Sequence, residues 1–98
     1  ETDTYESIAR EYNLFTSEIL RFNDLKKDQK LQSGTIVYLQ RKNNKAPRFL
    51  DIHIAQEGDT YYKVAQQYGI RLKKLYEYND YKDGDILNIG DEIFLRRR

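Results

Sequence analysis

The chain has 98 residues, no cysteine and a single histidine, His53, so neither a disulfide nor a zinc site can hold it together. Seventeen Lys and Arg face sixteen Asp and Glu, spread evenly along the sequence, which excludes the gathered basic surface of a nucleic-acid binder. No apolar run approaches the roughly 20 residues that span a membrane. No phosphate-binding glycine loop or EF-hand spacing appears, and the sequence implies no cofactor.

In chain order, Asp3-Thr4 precedes Tyr5, Ile8, Ala9 and Tyr12, an i, i+3, i+4, i+7 pattern that predicts an amphipathic helix. Asp or Thr can cap its start, and Asp3 with Glu6 fits a capping-box spacing. Asn13 suits a left-handed helix end. A second short helix is predicted over 16–22, burying Ile19 and stopping at Asn23-Asp24. A polar loop leads to Gly34 and an alternating strand over 35–40, with Val37 and Leu39 on one face. Residues 43–50 (NNKAPRFL) contain the only proline, Pro47, and read as an extended linker.

The second half repeats the first. Asp51–Gln56 alternates and predicts a strand antiparallel to 91–96. In this register Ala55 and His53 face the helices, and Ile52 and Ile54 face away. Tyr61, Val64, Ala65 and Tyr68 predict a helix ending at Gly69, and a second helix over 72–78 buries Leu75. Shifted by 56 positions, residues 1–42 lie on 57–98 without a gap, and 13 of the 42 positions are identical. The domains read as 1–42, a linker over 43–50, and 51–98. The first copy lacks a counterpart of 51–56 because the chain starts at Glu1, which reads as truncation, and its last strand is expected to present an unpaired edge unless another segment or chain covers it.

The ordered set Glu57-Gly58-Asp59-Thr60-Tyr61-Tyr62, Val64-Ala65, Tyr68-Gly69-Ile70, Leu75, Asn79 and Gly90-Asp91-x-Ile93-x-Leu95 resembles the LysM (lysin motif) family. The first copy repeats it with Asp3-Thr4-Tyr5, Ile8-Ala9, Tyr12, Leu14, Ile19, Asn23, Gly34 and Val37-x-Leu39. Residues 68–76 look like LysM repeats attached to cell-wall glucosaminidases of Bacteroidetes-type bacteria. The resemblance implies an α+β fold of two βααβ units, each with two helices on a two-stranded antiparallel sheet, the first unit lacking its N-terminal strand. It also implies a non-catalytic, extracytoplasmic module that binds N-acetylglucosamine-containing glycans, peptidoglycan or chitooligosaccharide. Such a module would anchor a wall hydrolase and could touch its parent's catalytic domain. The alternative is a protein-interaction or spacer module that has lost the sugar site.

Carried over by position, the sugar groove would have Gly58, Asp59, Thr60 and Tyr61 on one wall. Asn79, Asp80, Tyr81, Ile86 and Leu87 would form the other. Asp3, Thr4, Tyr5, Asn23 and Leu25 are the first copy's counterparts. Each has a plainer duty available: Asp59 and Thr60 as caps, Tyr5 and Tyr61 as core, Asn23 and Asn79 as turn or cap residues. The first copy departs further from the family, with Thr2 in place of Gly58 and Glu6 in place of Tyr62. No nucleophile setting surrounds any serine, and the acids lie in caps and loops, so catalysis is not expected.

Overall fold

The computed structural model describes residues 3–97, so Glu1, Thr2 and Arg98 lie outside the described residues. Among these is Thr2, the residue that stands in place of Gly58. The chain divides into two compact units, Glu1–Lys42 and Asn43–Arg98.

Unit 1 contains α1 (Tyr5–Glu11) and α2 (Thr16–Phe22). Its core is Tyr5, Ala9 and Ile19, with Ile8, Leu14, Leu20, Leu25, Leu31 and Val37 partly buried around them. The helix start differs from the predicted Asp3–Glu6 box. Thr4 is the cap: its hydroxyl accepts from Ser7 N–H at 3.1 Å, and the Ser7 hydroxyl oxygen accepts from Thr4 N–H at 3.0 Å. Serine reaches back across one turn as a glutamate would, and this frees Asp3 and Glu6 from capping. Asn13 closes the helix with φ 59°, as expected of an αL end.

The predicted strand over 35–40 does not form among the described residues. A strand needs a backbone partner, and among the described residues the sheet pairs 52–54 with 92–94 and does not include 35–40. What holds the segment is a side chain. The Asn23 amide donates to Tyr38 O at 2.9 Å and to Ile19 O at 2.8 Å, while its oxygen accepts from Tyr38 N–H at 2.8 Å. One buried amide thus bonds both backbone groups of a single residue, as a neighbouring strand would. Tyr12, expected on the buried stripe, is 53% exposed.

Unit 2 contains β1 (Ile52–Ile54), α3 (Tyr61–Tyr68), α4 (Leu72–Tyr78) and β2 (Glu92–Phe94). The strands pair antiparallel with His53 opposite Ile93. This is the complete strand–helix–helix–strand order, with strands shorter than the alternating runs that announce them. Ala55, Val64, Ala65, Ile70, Leu75, Ile93 and Leu95 form one core, and Ala46 joins it. As predicted, His53 and Ala55 face inward while Ile52 and Ile54 are exposed. Asn79 repeats the amide lock, bonding Phe94 N–H at 2.7 Å and Phe94 O at 2.9 Å on the side of β2 away from β1.

Residues 43–50, expected to be a linker, are held by unit 2. Asn43 bonds Gly69 O and Arg71 N–H, both at 2.9 Å. The Arg96 guanidinium donates to Ala46 O at 2.8 Å and Pro47 O at 2.9 Å. Burial of Ala46 explains the attachment: a small apolar residue among polar neighbours fills the end of the core.

Candidate functional site

Unit 2 carries an open cavity of about 330 Å³ between the start of α3 and the loop that follows α4. Its lining is Asp59, Thr60, Tyr61 and Tyr62 on one wall, Tyr76 at the back, and Tyr81, Asp85, Ile86 and Leu87 on the other.

The first wall is fixed by local hydrogen bonds. Gly58 turns the chain with φ 85°; a Cβ there would meet no atom, so the demand for glycine is conformational rather than one of space. Thr60 caps α3 through Lys63 N–H at 3.1 Å. Asp59 does not cap. Its Oδ2 accepts from Gln56 N–H at 2.9 Å and from His53 Nε2–H at 2.8 Å, while His53 Nδ1 accepts from the Tyr68 hydroxyl at 2.8 Å. The strand histidine therefore ties the loop to the sheet. The His53 hydrogen bond, then the Gln56 N–H, holds the Asp59 carboxyl below its ordinary value.

The opposite wall is a turn. Lys82 N–H donates to Asp85 Oδ2 at 2.8 Å and Asp85 N–H to Lys82 O at 2.9 Å, with Gly84 at φ 91°. This turn folds the loop upon itself, so its lip, Ile86, stands 79% exposed over the cavity. The rings of Tyr76 and Tyr81 stack at 4.1 Å with 15° between their planes, and Tyr61 meets both edge-on at 5.6 and 5.1 Å. Burial, and next the Asp85 and Asp91 carboxylates, raise the Tyr61 phenol, which stays a neutral hydroxyl at ordinary pH.

Such a surface suits a polar ligand with apolar faces. Aromatic planes and Ile86 receive C–H groups, while loop backbone and carboxylates offer acceptors and donors that fix orientation. Six of the predicted residues, Asp59, Thr60, Tyr61, Tyr81, Ile86 and Leu87, line this one cavity. Gly58 shapes the wall without lining it. Asn79 is spent on Phe94, and Asp80 turns the chain with φ 51°. Tyr62, Tyr76 and Asp85 were not among the predicted contacts. The signal for the two tyrosines was present in the repeat: the first copy has Glu6 and Leu20 there, so neither ring is required by the shared core.

In unit 1 the corresponding walls are joined. Asp28, which replaces Gly84, accepts from Tyr5 N–H at 2.8 Å and, more weakly, from Glu6 N–H at 3.3 Å. Thr4 bridges Lys30, and Leu31 N–H donates to Asp3 O at 2.8 Å. Tyr5 is left 2% exposed, Asn23 is fully buried, Leu25 packs on the core, and Thr4 is the cap. Asp3 borders a different cavity, on the Tyr12 side of α1.

Fold and groove together define a small binding module built twice. The chain belongs to the LysM domain family, which matches residues 1–40 and 53–96. That family is generally a binding module for peptidoglycan and N-acetylglucosamine glycans and is not catalytic. Among solved structures, the chain is similar to the spore cortex-lytic enzyme SleL of Bacillus cereus. The identity is 25%, over 97% of this chain and 20% of that one, with a TM-score of 0.43. The chain thus spans about a fifth of that protein's length. No curated protein sequence matches it. Among the described residues no helix is long and apolar enough to cross a membrane.

Proposed function

We propose that unit 2 is the glycan-binding half of this chain. It recognises N-acetylglucosamine-containing glycans, peptidoglycan first, and anchors an extracytoplasmic wall hydrolase. The observation that carries this reading is the tyrosine-lined cavity between the 59–62 and 81–87 segments. The acetamido group supplies an amide for loop backbone and a methyl for Ile86. The sugar ring supplies C–H groups for Tyr81 and Tyr62. A shallow groove gives weak affinity per site, and with unit 1 closed, avidity within one chain contributes nothing.

Co-sedimentation of the 98-residue chain with purified sacculi, and titration with chitooligosaccharide followed by amide chemical shifts, test the reading. Retention and shifts confined to 58–62 and 76–87 are expected. Tyr81→Ala should weaken binding about tenfold, the loss of roughly 1.4 kcal/mol of ring contact. No retention, and no shifts at millimolar sugar, would refute it.

Closure of unit 1 favours a second duty for that half, as a spacer or protein-contact unit that keeps the fold without the sugar site. A complex with the parent's catalytic domain, unchanged by chitooligosaccharide and requiring residues 3–42, would establish it.

A further inference from the structure

The sheet of unit 2 uses one edge of β1 and leaves the other open. Leu95 N–H donates to Asp51 O at 2.9 Å, Ala55 N–H donates to Asp91 O at 2.8 Å, and His53 lies opposite Ile93 between them. Backbone groups alternate sides along a strand, so the N–H and C=O of Ile52 and Ile54 point away from β2. Among the described residues no hydrogen bond reaches them. The outer edge of β2 is closed at Phe94, whose N–H and C=O are both taken by Asn79. Side chains sharpen the difference. Ile52 and Ile54 are exposed, as are Phe49 and Leu50, so four of the six residues 49–54 present apolar surface. Phe49 holds its ring 86% exposed from the left-handed region, at φ 72°, where a bulky residue is seldom found. None of these residues lines the tyrosine groove.

We infer that β1 pairs edge to edge with β1 of a second copy of this chain, joining two small sheets into one of four strands. The sequence of the edge argues for a copy over a foreign segment. Ile52-His53-Ile54 reads the same in both directions, so an antiparallel copy related by a two-fold axis at His53 meets identical residues. In that register Ile52 exchanges both main-chain bonds with the partner's Ile54, and Ile54 does so with the partner's Ile52. Their side chains fall together on the outward face, beside Phe94, which lies opposite Ile52 in β2. Charge agrees. Asp51 meets the partner's Ala55, no two carboxylates of the paired strands are opposed, and the exposed Arg48 comes beside the partner's Glu57, also exposed. An edge strand without a charged side chain lacks the usual guard against pairing. The strand is short, so the contact is weak and depends on concentration. Given glycan binding by unit 2, the pair carries two open grooves and gains the avidity that one chain lacks.

The test is sedimentation equilibrium of the full chain from micromolar to millimolar concentration, with hydrogen exchange measured at both limits. The mass should rise from 11.8 kDa toward twice that value, and exchange at the Ile52 and Ile54 amides should slow about tenfold. Ile52→Lys with Ile54→Lys sets like charges against each other across the axis. It should leave a monomer whose Val64 and Leu75 amide shifts are unchanged. Ile52→Lys with Ile54→Glu sets opposite charges against each other in the same register and should restore the dimer at low salt. A wild-type chain that stays monomeric at millimolar concentration overturns the inference. So does a dimer that survives the Lys/Lys change, or that forms without protecting Ile52 and Ile54. Loss of the dimer in both double variants also overturns it, because apolar contact without this register would then be the cause. These readouts involve no sugar and stand whether or not unit 2 binds glycan.

Discussion

Residues 28 and 84 occupy the same place in the two copies, one an aspartate and the other a glycine, and the two grooves differ accordingly. In unit 1 the Asp28 carboxylate reaches the free N–H groups at the start of α1 and draws the loop onto the helix. In unit 2 glycine permits a turn closed by Asp85, and the loop stands off with Ile86 at its lip. The other changes follow the same division. Glu6, Leu20 and Leu25 stand where Tyr62, Tyr76 and Tyr81 line the cavity, and Lys30 stands where Ile86 does. The helices hardly differ, so packing and cavity lining have separated in this pair: the repeat keeps what packs and varies what lines the cavity.

The comparison breaks most severely at the shared lock. Asn23 and Asn79 each make three hydrogen bonds, at roughly 1 kcal/mol net apiece, and removal leaves backbone groups unsatisfied. Asn23→Ala and Asn79→Ala should each cost about 2–4 kcal/mol, read by urea unfolding. The consequences differ. Unit 2 keeps β2 through its pairing with β1, and it buries Val64, Ile70, Leu75, Ile93 and Leu95 fully. Among the described residues of unit 1, the fully buried large apolar side chains are Tyr5 and Ile19, and 35–40 holds without a strand. At about 1.5–3 kcal/mol for each large side chain buried, unit 1 is the weaker. Asn23→Ala should therefore erase its amide protection, while Asn79→Ala leaves unit 2 folded.

Next in size is Asp28. Asp28→Ala removes the carboxylate from the α1 terminus and should destabilise unit 1 by about 1–2 kcal/mol, the cost of losing a cap. It should also free the loop, seen as faster exchange at Leu31 and greater solvent access to Tyr5. An unchanged Tyr5 environment would mean that packing of Leu25 and Leu31 closes the groove, and that Asp28 only follows.

Helices, their ends and the inward face of β1 were legible because periodicity and cap residues are local signals, and the repeat doubled each one. Six groove residues were legible by position within the LysM pattern. The strand at 35–40 was not, because Val37 and Leu39 alternate whether or not a partner exists; pairing is a property of two segments. Thr4 over Asp3 as the cap was ambiguous, since both types accept from a first-turn N–H. Closure of the first groove was hidden for a related reason: a loop aspartate gives no sign in sequence of which N–H it will reach.

A smaller effect separates the units by pH. The folded state holds Asp59 more acidic than its ordinary value of 3.8. Its contribution is therefore complete above that value and is lost as pH falls through the lower, folded value. Unit 2 should lose stability on that acid limb, and Asp59→Asn should flatten it in thermal unfolding. An identical acid limb in the variant would place the sensitivity elsewhere. Because Asp59 also forms a groove wall, glycan affinity should fall over the same range if the loop moves when its bonds to His53 and Gln56 are weakened.

The smallest change is at the helix ends. Gly69 closes α3 at φ 69°, and Asn13 closes α1 at φ 59°, so the copies use two residues for one conformation. Asparagine visits αL more readily than other side chains do, though less freely than glycine. Gly69→Asn should therefore cost only about 0.5 kcal/mol, whereas a β-branched residue there should cost about 1–2 kcal/mol. Chemical denaturation of the pair measures the difference. If Gly69→Asn proves as costly as Gly69→Val, the two helix ends are not equivalent. The strand-like bond from Asn43 N–H to Gly69 O, which unit 2 adds at this point, would then be what the side chain disturbs.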